Sequence, residues 1–235
     1  MIGNRRVIAI IPARGGSKSI KHKNLSLVNG KSLIQRAVEC AQNSLYIDRI
    51  IVSTDDEMIA EESRISGAEV YLRDGAMASD TSLVADAVRS LILQLRGEGE
   101  RAEYMCLLEP TTPLRKSKDV DKCISYLETE QFDSVATVRE AELNPNRAWR
   151  LKDGILEPFL DIVDPWAPRQ LLPSAYQLSG SAYVFNADKF SEKLDASFLF
   201  GKHGCIQVER VTSIDIDHQI DLMLINQICK YYDIE

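Results

Sequence analysis

The feature that most constrains the fold is a short apolar run that opens directly into a loop of glycines and cations. Residues 7–11 are apolar and rich in β-branched side chains, so they predict a buried strand. Pro12 ends the run, and the following loop carries Gly15, Gly16 and four cations: Arg14, Lys18, Lys21 and Lys23. Glycines let a backbone approach phosphates, while N–H groups and cations bind them. The pattern predicts an α/β protein that holds a nucleoside triphosphate; a solvated basic loop is the alternative.

Helical and strand patterns alternate along most of the chain. Strands are predicted at residues 7–11, 49–53, 69–72, 104–108, 134–138, 181–185 and 206–209. Helices are predicted at residues 32–43, from a cap at 54–56 towards 67, at 82–95, around 120–127, at 187–194 and at about 217–232. This alternation predicts an α/β fold of three layers, in which a mostly parallel sheet is covered by helices on both faces.

The alternation is interrupted once, at residues 141–176. This segment holds five of the eight prolines and both tryptophans, Trp149 and Trp166. We expect a single domain over residues 1–235, with 141–176 as an irregular insert that leaves the sheet. A long irregular segment in a compact domain is usually functional or an interface.

Composition excludes several classes of protein. The net charge of −7 disfavours a general nucleic-acid or acidic-membrane binder, so an anionic ligand needs a local cationic pocket or a metal. No apolar run approaches the roughly 18 residues of a membrane span, and the start of the chain lacks a signal-peptide pattern. Five cysteines without CxxC spacing predict reduced core thiols in a cytoplasmic protein and disfavour zinc.

Polar residues that follow the predicted strands are the site candidates, because ligands of open parallel sheets bind at the carboxyl ends of the strands. Asp215 and Asp217 lie two apart, which suits Mg²⁺; Asp217 as a helix N-cap is the alternative. Glu109 follows an apolar strand and predicts a substrate contact, or an ion pair with Arg115. Residues 79–81 fit a base-recognition or sugar-hydroxyl loop, or a helix cap. Residues 29–32 lack the first glycine of a Walker A loop and instead predict a tight turn.

Taken in order, these motifs resemble the acylneuraminate cytidylyltransferase family, the CMP-sialic acid synthetases. The resemblance covers nearly the whole chain. It is carried by residues 11–18, 23–24, 51–55, 73, 79–81, 109–115 (Glu-Pro-Thr-Thr-Pro-Leu-Arg), 168–170 and 213–217 (Ser-Ile-Asp-Ile-Asp). Each motif alone is weak evidence for this resemblance, whereas the ordered set of motifs is specific to the family.

The resemblance implies a Rossmann-like nucleotidyltransferase fold and a transfer of CMP from CTP to a nine-carbon 2-keto sugar acid, releasing pyrophosphate. It implies Mg²⁺ and a homodimer in which the insert is the dimerisation segment and provides Arg147, with Phe198, to the partner's sugar pocket. The implied nucleotide contacts are Ala13, Arg14, Gly15, Ser17, Asn24, Arg73, Ser79, Asp80 and Thr81. The implied catalytic residues are Arg14, Lys23, Asp215 and Asp217, the two aspartates being the metal ligands. The implied sugar contacts are Glu109, Arg147, Arg169, Gln170, Ser179 and Phe198.

Two departures lie where this family binds sugar. Many relatives have Gln in place of Glu109, and many have Asn-Gly-Ala where this chain has Ser-Gly-Ser at 179–181. A carboxylate accepts but does not donate hydrogen bonds, so we hypothesise a sugar other than N-acetylneuraminic acid, such as a deoxy or amino-substituted nonulosonic acid. The rival functions are a nucleotide-sugar glycosyltransferase, which also uses an Asp-x-Asp pair, and a non-catalytic CTP-binding subunit.

Overall fold

A computed structural model describes residues 1–73, 83–160 and 164–234. The elements alternate as the sequence pattern predicts. The strands are β1 (Val7–Pro12), β2 (Leu27–Val28), β3 (Lys31–Ser32), β4 (Arg49–Thr54), β5 (Glu69–Leu72), β6 (Tyr104–Leu107), β7 (Ser134–Glu140), β8 (Trp149–Lys152), β9 (Ile155–Pro158), β10 (Tyr176–Asn186) and β11 (His203–Gln207). The helices are α1 (Leu33–Gln42), α2 (Glu57–Ile65), α3 (Val84–Gly97), α4 (Ser117–Thr129), α5 (Ala187–Ser191) and α6 (Gln219–Tyr232).

Seven strands form the central sheet, in the order β11-β7-β10-β6-β1-β4-β5. β10 runs antiparallel to β6 and β7, while every other pair of neighbours in this sheet is parallel. The mostly parallel sheet is therefore confirmed. Because six strands share one direction, the segments that follow β1, β4, β5 and β6 all emerge at the same edge.

The two faces of the sheet bury separate cores, as a three-layer fold requires. Alternate residues of β1 point to opposite faces. Val7, Ala9 and Ile11 pack with α1 and α4, whereas Ile8 and Ile10 pack with α3 and α5. All five are fully buried, which explains why the run is continuously apolar.

The insert is not irregular, contrary to the sequence-based expectation. It carries the hairpin β8–β9, which is separate from the central sheet. Asp153 and Gly154 turn the hairpin with φ of 51° and 82°, the left-handed pair typical of a two-residue turn. Both strands are exposed, and Trp166, at 82% exposure, lies with its ring 6.2 Å from that of Trp149. The insert therefore presents apolar side chains outside the main core.

Other differences from expectation are local. The strand predicted at 181–185 is the end of the eleven-residue β10, and the last strand begins at His203 rather than 206. Four cysteines are buried, but Cys205 is exposed because β11 is an edge strand, so the prediction of a core thiol is wrong there. The tight turn at 29–32 is confirmed, with Asn29 and Gly30 at positive φ between β2 and β3. Among the described residues, no helix has the length and apolar character needed to cross a bilayer.

Candidate active site

The loop after β1 is anchored to the end of β4. The Ala13 N–H donates to Ser53 O at 2.9 Å, which extends the parallel pairing by one residue. The Gly15 N–H then donates to Asp55 Oδ1 at 3.1 Å. A Cβ on Gly15 would lie 2.5 Å from Asp56 Oδ2, so only glycine fits this approach. The loop is thus held by contacts within the chain.

Asn24 closes the same loop from its far end. Asn24 is 7% exposed, and its Nδ2 donates to Arg14 O at 3.0 Å. It belongs to a single 3-10 turn, Lys23–Leu25, that follows His22 at a left-handed φ of 51°. Arg14 itself is exposed, and the Ser17 N–H donates to Gly15 O. The predicted phosphate-loop residues therefore lie on one compact loop, with the Arg14 side chain at the surface.

Lys23 joins this loop to the segment before α6. Its Nζ donates to Ile216 O at 3.0 Å and lies 3.4 Å from Asp217 Oδ1. The Ile216 N–H in turn donates to Thr111 O at 2.9 Å, in the turn after β6. Three segments that are far apart in sequence therefore meet at one edge of the sheet.

The alternative reading of Asp217 as a helix N-cap is wrong. His218 is the N-cap of α6, and its N–H bonds to the Asp221 side chain in a capping box. The Asp217 N–H also bonds to Asp221 Oδ2, at 3.0 Å, while the Asp217 carboxylate faces Lys23. The Asp217 carboxylate is thus not used in capping.

Arg73 lies at the end of β5, next to the β1 loop. Its N–H donates to Thr54 O at 2.8 Å, and its Nη2 lies 3.9 Å from Asp55 Oδ1. The side chain is 6% exposed, and burial lowers the pKa of its guanidinium, with the charge of Arg14 acting in the same direction. A buried cation beside an arginine-bearing loop suits an anionic ligand. The predicted neighbours Ser79, Asp80 and Thr81 lie outside the described residues.

Three titratable groups face one another across the ends of β6 and β10. Burial raises the pKa of Glu109, and the nearby charge of Asp215 raises it further. The pKa of Asp215 is also raised, first by loss of solvation and then by Asp217, although a hydrogen bond from the Thr111 hydroxyl opposes the shift. Burial, with the charges of Glu109 and Asp215, raises the pKa of Tyr183 to about 12. Tyr183 therefore stays a neutral hydroxyl donor beside two carboxyl groups.

The ion pair between Glu109 and Arg115, an alternative left open by the sequence, is not a direct contact. Arg115 uses its Nε to bond Thr112 O at 3.1 Å, and its two Nη atoms find no hydrogen-bond partner among the described residues. The charge of Arg115 still lowers the pKa of Glu109 from a distance. Arg115 therefore acts on Glu109 by its charge and not through a direct ion pair.

Residues 179–182 form a bulge in β10 that lies against Glu109. The pairing with β7 shifts register between Leu178 and Tyr183. Gly180 has a φ of +71°, and a Cβ there would lie 3.1 Å from Glu109 Oε2. Ser179 is buried and its hydroxyl bonds to Thr137 Oγ1 at 2.7 Å, which holds the bulge. A sugar contact by Ser179 stays a prediction.

The other predicted sugar residues lie apart from this cluster. The Arg147 Nη2 donates to Ala167 O at 2.8 Å within the insert, and the exposed Arg169 lies 3.8 Å from Glu140. Gln170 is exposed beside it. Among the described residues, none of the three bonds to Glu109 or Asp215. Their role in sugar binding stays a prediction.

Phe198 belongs to an aromatic cluster of its own chain. Its ring stacks on that of Phe190, with centroids 5.1 Å apart, and lies 5.7 Å from the ring of Tyr183. Phe198 therefore packs against Tyr183 of its own chain. A contact with a partner's sugar pocket stays a prediction.

The predicted site contacts do not include Asp55, Thr111 or Tyr183. Asp55 lies in the strand-end motif 51–55 and in the predicted cap 54–56, Thr111 lies in the 109–115 motif, and Tyr183 fits a buried strand. The signal for Thr111 and Asp55 is their position directly after strands. Tyr183 carried none, because its place beside Glu109 depends on the antiparallel direction of β10.

The donor set at this edge fits a hard divalent cation. Asp215 and Asp217 present carboxylate oxygens, and Asp217 disfavours the charged form of Asp215, a repulsion that a cation relieves. No cluster of three or more His, Cys, Asp or Glu ligands occurs among the described residues. Mg²⁺ commonly needs only one or two carboxylates when phosphates and water complete its shell.

Comparisons with known proteins agree with this geometry. A family profile described as cytidylyltransferase matches residues 8–151. CMP-N,N'-diacetyllegionaminic acid synthase from Legionella pneumophila is 31% identical over 231 residues, covering 96% of this chain and 97% of that protein. N-acylneuraminate cytidylyltransferase from Streptococcus agalactiae is 28% identical over 92% of this chain, which spans 51% of that longer protein.

A solved structure resembles the fold over its full length. It is CMP:2-keto-3-deoxy-manno-octonic acid synthetase complexed with CTP, with a TM-score of 0.73 and 14% identity, covering 97% of this chain and 99% of that one. The likeness shows that the sheet and its helices have the arrangement of a nucleotidyltransferase fold. Since the family profile spans more than half of the chain and the Legionella protein aligns nearly end to end, this chain belongs to the cytidylyltransferase family.

Proposed function

We propose that this protein transfers CMP from CTP to the anomeric hydroxyl of a nonulosonic acid and releases pyrophosphate. The hydroxyl oxygen bonds to the α-phosphorus, and the bond from that phosphorus to the bridging oxygen breaks. The observation that carries the proposal is the meeting of the β1 loop, the turn after β6 and the 213–217 segment through Lys23, Ile216 and Thr111. Cations for phosphates and carboxylates for a metal and a sugar then lie at one edge.

The nucleotide side of the reaction needs alignment and charge neutralisation. Arg14 and Lys23, with the N–H groups near Gly15 and Ser17, would bind the triphosphate. Arg73 would contact the nucleotide from the end of β5, together with the cytidine loop predicted at 79–81. The support is that hydrogen bonds to Asp55 and from Asn24 hold the loop, and that Arg73 is a buried cation beside it.

Asp215 and Asp217 would hold Mg²⁺. When bound, the ion would neutralise charge that develops on the leaving pyrophosphate. Lys23, 3.4 Å from Asp217, keeps that carboxylate oriented towards the β1 loop. Either aspartate would also accept the proton of the sugar hydroxyl.

On the sugar side, Glu109 and Tyr183 form an acceptor and donor pair. Glu109 in its ionised form accepts from amide, amino or hydroxyl donors, and the Tyr183 hydroxyl donates. This pair favours a nonulosonic acid with extra nitrogen-bearing groups over N-acetylneuraminic acid. Relatives named for legionaminic and N-acylneuraminic acids show that the family serves several such sugars. Arg169 and Gln170 would bind the sugar carboxylate.

We place the reaction in the cytoplasm and in a homodimer formed through the insert. The exposed apolar hairpin β8–β9 and Trp166 support an interface, because large apolar patches on a soluble surface mark contact sites. In the dimer, Arg147 would approach the partner's sugar pocket.

The test is a product assay. The protein is mixed with CTP, Mg²⁺ and each of several sugar acids: N-acetylneuraminic, legionaminic, pseudaminic, deaminated neuraminic and an eight-carbon 2-keto acid. Mass spectrometry is expected to detect a CMP-sugar with one nonulosonic acid, together with equimolar pyrophosphate. CTP binding with no product from any sugar would instead favour a binding-only subunit, and a sugar transferred to an acceptor would favour a glycosyltransferase.

A further inference from the structure

Asp215 and Asp217 are anchored in different ways. The Asp215 carboxylate accepts a hydrogen bond from the Thr111 hydroxyl, so the turn after β6 holds this side chain directly. The Asp217 side chain is 66% exposed, and the Lys23 Nζ lies 3.4 Å from its Oδ1. A charge-assisted hydrogen bond is typically about 2.8 Å long, so the Lys23 contact is a weak restraint. The direction of the Asp217 carboxylate therefore depends largely on the backbone of Asp217.

Ile216 fixes the backbone between the two aspartates. Its side chain is fully buried, in a small core with Ile20 of the β1 loop and Leu114 of the turn after β6. Its N–H donates to Thr111 O at 2.9 Å, and its C=O accepts from the Lys23 Nζ at 3.0 Å. The peptide group that follows Ile216 thus has its oxygen bonded, and its N–H, which belongs to the next residue, needs a partner of its own.

Asp221 is the partner of that N–H group. Its Oδ2 accepts from the His218 N–H at 2.7 Å and from the Asp217 N–H at 3.0 Å. The bond from His218, the N-cap of α6, is the usual part of a capping box. The bond from Asp217 is additional, because Asp217 precedes the N-cap and lies outside the helix. One carboxylate oxygen therefore ties the first turn of α6 to the backbone of Asp217.

We propose that Asp221 is a positioning residue for the metal site, acting through the backbone of Asp217. Groups that form hydrogen bonds to a metal ligand hold that ligand in the orientation that the ion needs, and their loss weakens metal binding or activity by roughly ten- to a hundredfold. The role rests on the proposed function, because it takes Asp217 to be a ligand of Mg²⁺. It adds a third carboxylate to the site without making that carboxylate a ligand.

Three variants separate positioning from ordinary helix capping. Asp221→Ala removes both hydrogen bonds, whereas Asp221→Asn keeps an oxygen acceptor in the same place. Asp56→Ala is the matched control, because the Asp56 Oδ1 also accepts two backbone N–H groups at the start of a helix, those of Met58 and Ile59. Asp56→Ala therefore removes an equivalent cap without touching the 215–217 segment.

The first measurement needs neither metal nor nucleotide. Hydrogen exchange of the Asp217 amide is followed by NMR in the full chain. Exchange is expected to be about tenfold faster in Asp221→Ala than in the wild type, because the N–H loses its acceptor. In Asp221→Asn and in Asp56→Ala the exchange rate should stay near the wild-type value.

The second measurement is a titration with Mg²⁺ in the absence of CTP, in which the shifts of the Asp215 and Asp217 amide signals report the affinity. Asp221→Ala should weaken Mg²⁺ binding about tenfold. Asp221→Asn should restore most of the affinity, and Asp56→Ala should leave it unchanged. This pattern would distinguish positioning from a general loss of stability.

The proposal is overturned if the Asp217 amide exchanges equally in the wild type and in Asp221→Ala. It is also overturned if Asp221→Asn or Asp56→Ala weakens Mg²⁺ binding as much as Asp221→Ala does, or if Mg²⁺ shifts neither amide signal in the wild type. A protein that passes both measurements but forms no CMP-sugar would count against the proposed function alone.

Discussion

At the scale of single residues, the adjacent aspartates Asp55 and Asp56 have different roles. Asp56 caps α2, with its Oδ1 accepting from the N–H groups of Met58 and Ile59. Asp55 instead accepts from Gly15 and faces Arg73. The pair looks alike in sequence, and only the position of the β1 loop distinguishes them.

Replacing each aspartate should separate stability from binding. Asp56→Ala should lower the free energy of unfolding by about 1 kcal/mol, because a helix loses its N-cap. Asp55→Ala should change stability less but weaken CTP binding about tenfold, because the loop and Arg73 lose their shared anchor. Urea unfolding and calorimetric titration with CTP measure the two effects. Equal CTP affinity in both variants would contradict this division.

Ionisation of Glu109 should lower the free energy of unfolding as the pH rises. Its folded-state pKa is raised, so the folded protein binds its proton more tightly than the unfolded chain does. Stability relative to Glu109→Gln should therefore be equal at acid pH and should fall as the pH rises through the unfolded and then the folded pKa. Thermal melts at a series of pH values test this.

The control for that experiment is Glu192→Gln, which changes an exposed carboxylate at the end of α5. This variant shows how much of any pH trend comes from removing one surface carboxylate. A gap between wild type and Glu109→Gln that stays constant from acid to neutral pH would rule out the account of Glu109 as a carboxyl group destabilised by burial and by Asp215.

At the scale of elements, the antiparallel strand β10 shapes the site. A parallel strand in its place would enter the cleft from the opposite end, and Tyr183 would not pair beside Leu107 at the carboxyl end of β6. The bulge at 179–182 adds Gly180 over the carboxylate of Glu109. β10 thus supplies to the proposed sugar pocket both a hydrogen-bond donor, Tyr183, and a stretch of backbone at Gly180.

Gly180→Ala and Gly154→Ala form a matched pair at this scale. Both glycines have positive φ, so each substitution should cost about 1 kcal/mol of strain. A methyl group on Gly154 meets nothing within 4 Å, whereas one on Gly180 presses on Glu109 and Thr112. Only Gly180→Ala should raise the KM for the sugar acid, with the KM for CTP unchanged. Steady-state kinetics with both substrates measures the two KM values. An unchanged KM for the sugar acid would show that the bulge is not part of the sugar pocket.

At the scale of the whole molecule, the insert exposes an apolar surface that the fold of a single chain does not explain. Leu151, Ile155 and Leu156 are each more than 60% exposed on one hairpin. Such an apolar surface is unfavourable in water unless something covers it. A second copy of the chain is the occupant that we propose.

Charges placed on the hairpin should dissociate the dimer. Leu151→Asp combined with Ile155→Asp should convert a dimer into a monomer in size-exclusion chromatography with light scattering. CTP binding should persist, because the hydrogen bonds of Gly15 to Asp55 and of Asn24 to Arg14, which hold the β1 loop, involve no hairpin residue. A wild-type protein that is monomeric at assay concentrations, yet active, would contradict the dimer.

Much of the fold could be predicted because its causes are local. The apolar periods of β1 and α1 and the turn at Asn29 depend on neighbouring residues, and they agree with the structure. The hairpin in the insert was missed although the sequence signals it. Trp149–Lys152 alternates apolar and polar residues, and Asp153-Gly154 is a typical two-residue hairpin turn. The prolines of the segment favoured an irregular backbone instead.

The site was predictable only in part, for the same physical reason. Residues that follow strands, such as Lys23 and Asp217, converge because the parallel sheet brings strand ends together. The position of Tyr183 and the burial of the Arg115 guanidinium depend on strand direction and on packing across long separations. No local pattern encodes those contacts.

The most direct test of the central claim is pyrophosphate release from CTP, measured side by side for the wild type and Asp215→Asn. We expect release to require both Mg²⁺ and a nonulosonic acid. We also expect Asp215→Asn to lose at least about a hundredfold in rate with CTP binding retained, since the variant removes a charge at the reacting phosphates. Release without a sugar acid, or equal rates in the two proteins, would contradict a transfer carried out at this edge of the sheet.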